Sequence, residues 1–235
     1  MLRSSSSRVI LCVSLVIGLG MSGCFDSESE EREAFKTFLQ TRIVDKPGLH
    51  VPIPTAEEGK ALGRYKDHYE VITRFHDRMN NQVSVPLQES IKAGTVRSIS
   101  DLTANKANLL KVQEAVKQLR NALDTAQATA EAEKNRLAQP DDLKPFYTQA
   151  FERNVTRPAE TFRTIFPAVD GIFDTSLQIV AFLEKNQGRW RMSGSAVEFK
   201  DAQLLNQFNR LATDLASKSR AAVESQQKMR ALISG

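Results

Sequence analysis

Cysteine is almost absent from this chain of 235 residues: there are two, Cys12 and Cys24, both near the start. The body beyond them can form no disulfide, has no thiol nucleophile and offers no thiolate to a metal. Histidine is scarce too, limited to His50, His68 and His76. On one helix His68 and His76 would stand about 12 Å apart along the axis and about 80° apart around it. They cannot share an ion whose bonds to nitrogen measure about 2.0 Å. The signatures HExxH, GxSxG, GxGxxG and the P-loop are all missing. Eleven glycines and eight prolines exclude collagen-like and proline-rich classes, and 41% hydrophobic with 26% charged residues excludes a disordered or multi-pass chain.

What is present first is an address. Arg3 and Arg8 flank Ser4 to Ser7 and precede an apolar run, Val9 to Gly20, of twelve residues. A transmembrane helix needs about 20, so the layout is that of a secretory signal peptide. The run ends Gly20-Met21-Ser22-Gly23-Cys24, which resembles the bacterial lipobox, with Met21 where leucine is more usual. The other reading is an ordinary cleaved signal with a chance cysteine. A diacylglycerol on Cys24 provides the two acyl chains that stable anchoring requires, at about 0.8 kcal/mol per buried methylene. These features predict a signal peptide over 1–23, an acidic tether over 24–33 and a single helical periplasmic domain over 34–235. Phe25, where lipoproteins retained in the inner membrane often carry Asp, favours the outer membrane. Loss of Arg3 and Arg8 from the 32 basic residues, against 28 acidic ones, leaves a formal charge of only +2. A nucleic-acid partner does not fit that balance or an exported protein.

The body reads as mainly α, an elongated antiparallel bundle. Ala34, Phe35, Phe38 and Leu39 predict a first helix over about 29–44. Thr55 and Glu58 make a capping box. It opens a helix whose apolar stripe (Leu62, Tyr65, Tyr69, Ile72, His76, Met79, Val83) runs to about Val85, where Pro86 bends or ends it. Ser100 or Asp101 is expected to cap a long central helix running to about Ala138. Its 39 residues would measure about 58 Å, longer than the roughly 45 Å of a compact chain of this size. Asp141 and Asp142 suit the start of the next helix, and Pro158 and Pro167 segment the apolar stretch up to Asn186. Gly188 to Phe199 alternates as a short β-hairpin turning at Ser193-Gly194. Asp201 caps a last helix to about Ile233. No internal repeat is evident.

Candidate sites are few. His76 lies on the apolar stripe and reads as a packing histidine rather than a ligand. The Asp141–Asp142 pair reads as helix capping rather than an acid/base dyad. Other carboxylates alternate with cations, as in Glu114/Lys117 and Glu131/Lys134, and form solvated faces. Trp190, the only tryptophan, is flanked by Arg189 and Arg191. Together the three form a possible contact surface for a membrane interface or an anionic partner; alternatively the hairpin plugs one end of the bundle. Tyr65, Tyr69, Phe146, Tyr147, Phe162 and Phe166 are numerous enough to line an apolar cavity.

A resemblance covers nearly the whole mature chain. Gly23-Cys24-Phe25-Asp26 and the acidic run with Arg32, Ala34, Phe35, Phe38 and Leu39 look like the start of the YiaF-like lipoproteins of Gram-negative bacteria. Asp141-Asp142-Leu143-Lys144-Pro145, Gln149-Ala150-Phe151, Val155, Pro158-Ala159 and Pro167-Ala168 resemble that family's central block. Val197-Glu198-Phe199 fits the hairpin. The family is a domain of unknown function, so the resemblance implies an envelope lipoprotein with a helical body and carries over no site residue except Cys24. The expectation is therefore a non-catalytic structural or interaction module of the envelope. It would meet the membrane through the N-terminal lipid and an envelope protein as partner, without metal, cofactor or nucleic acid. The alternative is a carrier of a lipid or other amphiphile, with an apolar cavity.

Overall fold

A computed structural model describes residues 22–93, 99–194 and 196–234. The expected signal segment therefore lies outside the described residues up to Met21. Helix α1 spans Ser22–Leu39 and continues as a π-turn, Gln40–Val44. The stretch 24–33, expected as a tether, is helical rather than extended. Its side chains explain why: Glu28 accepts from the Tyr65 hydroxyl at 2.9 Å, and Glu31 accepts from the backbone and side chain of Arg64.

The helix expected from Thr55 to Val85 is broken. Helix α2 (Ala56–Ala61) opens on the capping box, with Thr55 Oγ1 accepting from Glu58 N and Glu58 Oε2 from Thr55 N. A short 3-10 turn, Gly63–Tyr65, then redirects the chain into α3 (Lys66–Met79). Gly63 has φ +48°, and a Cβ there would lie 2.2 Å from the Glu31 carboxyl carbon. Glycine is thus required by both the left-handed backbone and the approach of α1. After α3 comes a second π-turn, Asn80–Ser84, and α4 (Val85–Ala93). Pro86 does not end a helix. It sits in the first turn of α4, directly after the π-turn, so the helical run continues through it with one backbone donor fewer.

The central helix is shorter than expected. Helix α5 spans Ile99–Ala104 and α6 Lys106–Asn135, separated at Asn105, whose side chain donates to the Asp101 carbonyl at 2.9 Å. Ser100 and Asp101 lie within α5, and the long helix α6 begins only after Asn105. At 30 residues α6 measures about 45 Å. Helices α7 (Lys144–Phe151), α8 (Arg157–Arg163) and α9 (Ile165–Lys185) follow, with a third π-turn, Glu152–Thr156, between α7 and α8. They form one bent rod of 42 residues, at most about 63 Å along its axis. Strands β1 (Trp190–Ser193) and β2 (Ala196–Phe199) pair antiparallel, Trp190 opposite Phe199 and Arg191 opposite Glu198. Helix α10 covers Ala202–Ser234, capped as expected by Asp201, whose Oδ1 accepts from Gln203 N at 2.7 Å.

Pairwise contacts fix the architecture. Tyr147 on α7 and Tyr65 on the turn before α3 pack against Phe35 of α1, so α3 and α7 both begin beside the second half of α1. Helix α6 runs the other way: Glu133 near its end meets Arg74 and Arg78, and Gln139 beyond it meets His68. Helix α9 climbs beside α6, with Asp170 on Arg120, Asp174 on Gln113 and Glu184 on Lys106. Helix α10 descends along α9, from Phe208 against Phe182 to Asp214 against Thr175, and ends with Ile233 O accepting from Leu49 N. The result is an elongated antiparallel bundle with two stacked bodies. The lower body holds α1, α2, α3, α7 and the end of α6. The upper body holds α4, α5, the start of α6, α8, α9, α10 and the hairpin.

Candidate functional site

The two ends of the bundle carry the sequence-predicted sites, and its waist carries residues that the sequence did not single out. Cys24 lies in the opening turns of α1, in the lower body. Helix α1 is held to that body from Glu28 onward. Lys36 donates to Asp142 at 2.5 Å and to Glu33 at 2.7 Å, and Arg32 lies 3.4 Å from the same Asp142. This replaces the expected role of the aspartate pair. Asp142 neither caps α7, whose N-cap Leu143 makes no side-chain cap bond, nor forms a dyad with Asp141, which pairs with Lys144 at 2.7 Å. The Lys36 hydrogen bond holds Asp142 below the ordinary aspartate range, the opposite of a general acid.

The hairpin lies at the other end. The rod from Lys144 to Lys185 carries the chain from the level of α1 to Trp190, so the hairpin stands about as far from Cys24 as the fold permits. Trp190 Nε1 donates to Leu183 O at 2.9 Å, and the half-buried indole packs onto the core. Behind it Phe182, Phe199 and Phe208 form a ring cluster with centroids 5.3 to 6.5 Å apart. Arg189 pairs with Asp201 at 2.9 Å, and Arg191 pairs with Glu198 at 2.6 Å across the strand register. The Arg191 hydrogen bond lowers the Glu198 carboxyl from its ordinary value. The tripeptide closes the bundle end with its tryptophan and presents paired arginines at the rim.

The six aromatics offered as cavity lining pack elsewhere. Tyr65, Tyr69, Tyr147, Phe162 and Phe166 are buried core residues, and half-buried Phe146 lies 5.8 Å from the Lys36 ammonium. The phenols of Tyr69 and Tyr147 donate to the carbonyls of Pro52 and His68 at 2.6 and 2.8 Å, and burial raises both above the usual range. Described cavities are surface grooves. One of about 450 Å³ lies between α8 and α10, against Thr161, Thr164 and Leu232, and one of about 370 Å³ lies between α4 and α6, against Pro86 and Val112. None is lined by those six aromatics.

His68 and His76 are packing residues. His68 sits edge-on to Tyr65, Phe35 and Tyr147. His76 Nε2 donates to Asn154 O at 2.6 Å. Burial lowers both rings below the ordinary histidine range, against the opposing pull of Asp67 and Asp77. No group of three or more His, Cys, Asp or Glu with metal-binding proximity occurs among the described residues. Glu133, pushed up by partial burial, is held below its usual range by the stronger effect of hydrogen bonds from Arg78 and Arg74.

The waist is the part that sequence reasoning missed. Asn154, fully buried, donates through Nδ2 to His50 O at 2.8 Å, while Arg153 donates to the carbonyls of Lys46 and Gly48. Together they clamp the loop that links α1 to α2. A recess of about 70 Å³ beside them is lined by Val44, Gln149, Glu152, Arg153 and Arg157. The detectable signal was a repeated pattern. Val83-Ser84-Val85-Pro86 and Val155-Thr156-Arg157-Pro158 share Val-Ser/Thr-x-Pro, and each follows directly on the core of a π-turn.

Comparison with known proteins adds a family. The family described as "Protein of unknown function (DUF3053)" matches residues 11–230. The chain is 26% identical over 222 residues to a protein of Escherichia coli K12 named "Uncharacterized protein YiaF", covering 93% of each chain. The same figures hold for proteins of that name in Escherichia coli O157:H7 and Shigella flexneri. No solved structure matches.

Proposed function

The chain belongs to this DUF3053 family of unknown function, and from that premise we propose that it is a non-catalytic lipoprotein of the outer membrane facing the periplasm. In this reading Cys24 carries the lipid and the helical body is an interaction module. The observation that carries the reading is the placement of the ends. The lipobox cysteine opens α1 in the lower body, whereas the hairpin with Arg189, Trp190 and Arg191 closes the upper one. With α1 bonded to the body from Glu28 onward, little slack separates a lipid on Cys24 from the folded protein. A bilayer holding that lipid meets the lower body, and the hairpin is held away from it, toward an envelope protein partner. The pairing of carboxylates with cations, as at Asp142 and Glu133, supports a role without acid/base chemistry.

The test is fractionation of a Cys24→Ala variant expressed from its own promoter. Loss of the protein from the outer-membrane fraction, with the soluble form accumulating in the periplasm, is the expected result. Unchanged membrane retention would sink the anchor and the orientation derived from it.

A further inference from the structure

Two chain segments cross from the lower body to the upper one with an interrupted helix, and both interruptions have the same construction. In α3–α4 the π-turn Asn80–Ser84 is closed by Val85 N donating to Asn80 O, and Pro86 follows. In α7–α8 the π-turn Glu152–Thr156 is closed by Arg157 N donating to Glu152 O, and Pro158 follows. The burial pattern repeats with the sequence. Val83 and Val155 are fully buried, Met79 and Phe151 are buried before them, and Leu87 and Ala159 after them. The second joint also touches the helix that leads into the first. Pro158 has no N–H to give to the Asn154 carbonyl four residues back, and that carbonyl is bonded by His76 from the last turn of α3.

The third crossing is α6, which passes unbroken. It does so on alanines: Ala126 and Ala130 are its buried residues at this level, between the Asp124–Arg163 pair above and the Glu133–Arg74 pair below. Methyl groups bury little area, so α6 itself adds little to the packing at this level, which Val83, Val155 and Phe151 of the joints supply. Three buried polar atoms lack a protein partner here, Asn154 Oδ1, Arg153 Nε and Arg78 Nη1; Arg32 Nε and Asp170 Oδ1 are others, away from the waist. A backbone bond latches the tip of α10 to the lower body's loop, Leu49 N to Ile233 O at 3.2 Å.

We infer that the waist is a built-in hinge. The two π–proline joints bend together while α6 flexes between them, and the Arg153–Asn154 clamp with the Leu49–Ile233 bond latches the straight form. Mid-helix π-turns and prolines are the established causes of local bends, because each removes regular i to i−4 bonds from one side of the helix. Paired at one level, they let the upper body tilt without unfolding either body. An elongated protein with its two ends committed to different contacts gains from this a variable angle between them. The inference concerns the described body alone and stands whether or not Cys24 carries lipid.

The test is a distance distribution by pulsed electron resonance on the full chain. Spin labels are attached to p-acetylphenylalanine at positions 66 and 185, replacing exposed Lys66 in the lower body and exposed Lys185 in the upper. A reference pair at 111 and 210 lies within the upper body. The cross-waist pair is expected to give the broader distribution, and Pro86→Ala with Pro158→Ala is expected to narrow it toward the reference. A cross-waist distribution as narrow as the reference overturns the hinge. So does a broad one that the double variant leaves unchanged. Hydrogen exchange on the unsubstituted protein checks the same point without a variant: amides of Asn80–Ser84 and Glu152–Thr156 should exchange together and ahead of α6, and equal protection counts against the joints.

Discussion

The lower body and the α10 arm are both helical, yet they are held by different amounts of core. In the lower body Phe35, Leu39, Tyr69, Ile72, Phe75, Tyr147 and Phe151 are buried, and their rings stack or meet edge-on at 5.0 to 6.3 Å. Helix α10 is longer than any of the lower helices, at 33 residues, but buries only Leu204 and Phe208. Its remaining stripe, Leu211, Leu215 and Met229 included, is half-buried against α9 and α8. A helix in water draws most of its stability from the area it buries rather than from propensity. The lower body should therefore resist opening, while the end of α10 opens locally at small cost.

The largest test of that contrast is truncation in the two regions. Phe35→Ala should cost about 3–5 kcal/mol, the range for a fully buried aromatic. Leu215→Ala should cost about 1 kcal/mol, since a half-buried side chain forfeits only part of its transfer energy. Chemical denaturation reads both, and equal losses would remove the contrast. The clamp comes next. Asn154→Ala leaves His50 O without its donor and should cost about 1–3 kcal/mol, accompanied by faster amide exchange around Leu49 if the loop depends on it.

Acid should act on the lower body first. The folded protein holds His68 and His76 below their ordinary pKa, chiefly by burial. Unfolded histidines protonate near pH 6.5, so in acid the unfolded chain binds protons that the folded one refuses. Their contribution is complete above about pH 6.5 and is lost as pH falls through the lowered values, at about 1.4 kcal/mol per unit of depression. Denaturation at pH 7 and pH 5 measures it, and His68→Asn with His76→Gln should flatten the slope. The smallest effect belongs to the hairpin. Trp190→Phe gives up the bond to Leu183 O for about 1 kcal/mol, and Arg191→Ala loses an exposed ion pair, about 0–1 kcal/mol. A larger loss at Arg191 would show that the rim has a structural role beyond its pairing with Glu198.

Much of this organisation was legible beforehand because it is written in short-range signals. The capping box at Thr55 and Glu58, the cap at Asp201 and the hairpin pairing of 190–193 with 196–199 each depend on residues within a few positions of one another, and each appears as read, with Ser193 in the strand rather than the turn. The candidate site was legible in part. The sole tryptophan marks the hairpin, and the segment expected to be a lipobox marks Cys24, but nothing local says that the two positions stand at opposite ends. The clamp at Arg153 and Asn154 was not legible, because its partners lie about a hundred residues away in the loop around Gly48 and His50.

The sequence by itself determined that this chain is built mainly of helices, with a hairpin and a long final helix toward its C-terminal side. Those properties follow from composition, period and capping chemistry, which act over one or two turns. Only the tertiary structure decided where the helices break and what faces what. Gly63 breaks a good apolar stripe because the chain takes a left-handed turn there, φ +48°, beside the Glu31 carboxylate of α1. Asp142 turns from cap to ion-pair partner because Lys36 and Arg32 reach it. Two distant Val-Ser/Thr-x-Pro segments become one waist because α3 and α7 rise side by side along α1. Each outcome depends on contacts between residues tens of positions apart, and a local pattern carries no term for them.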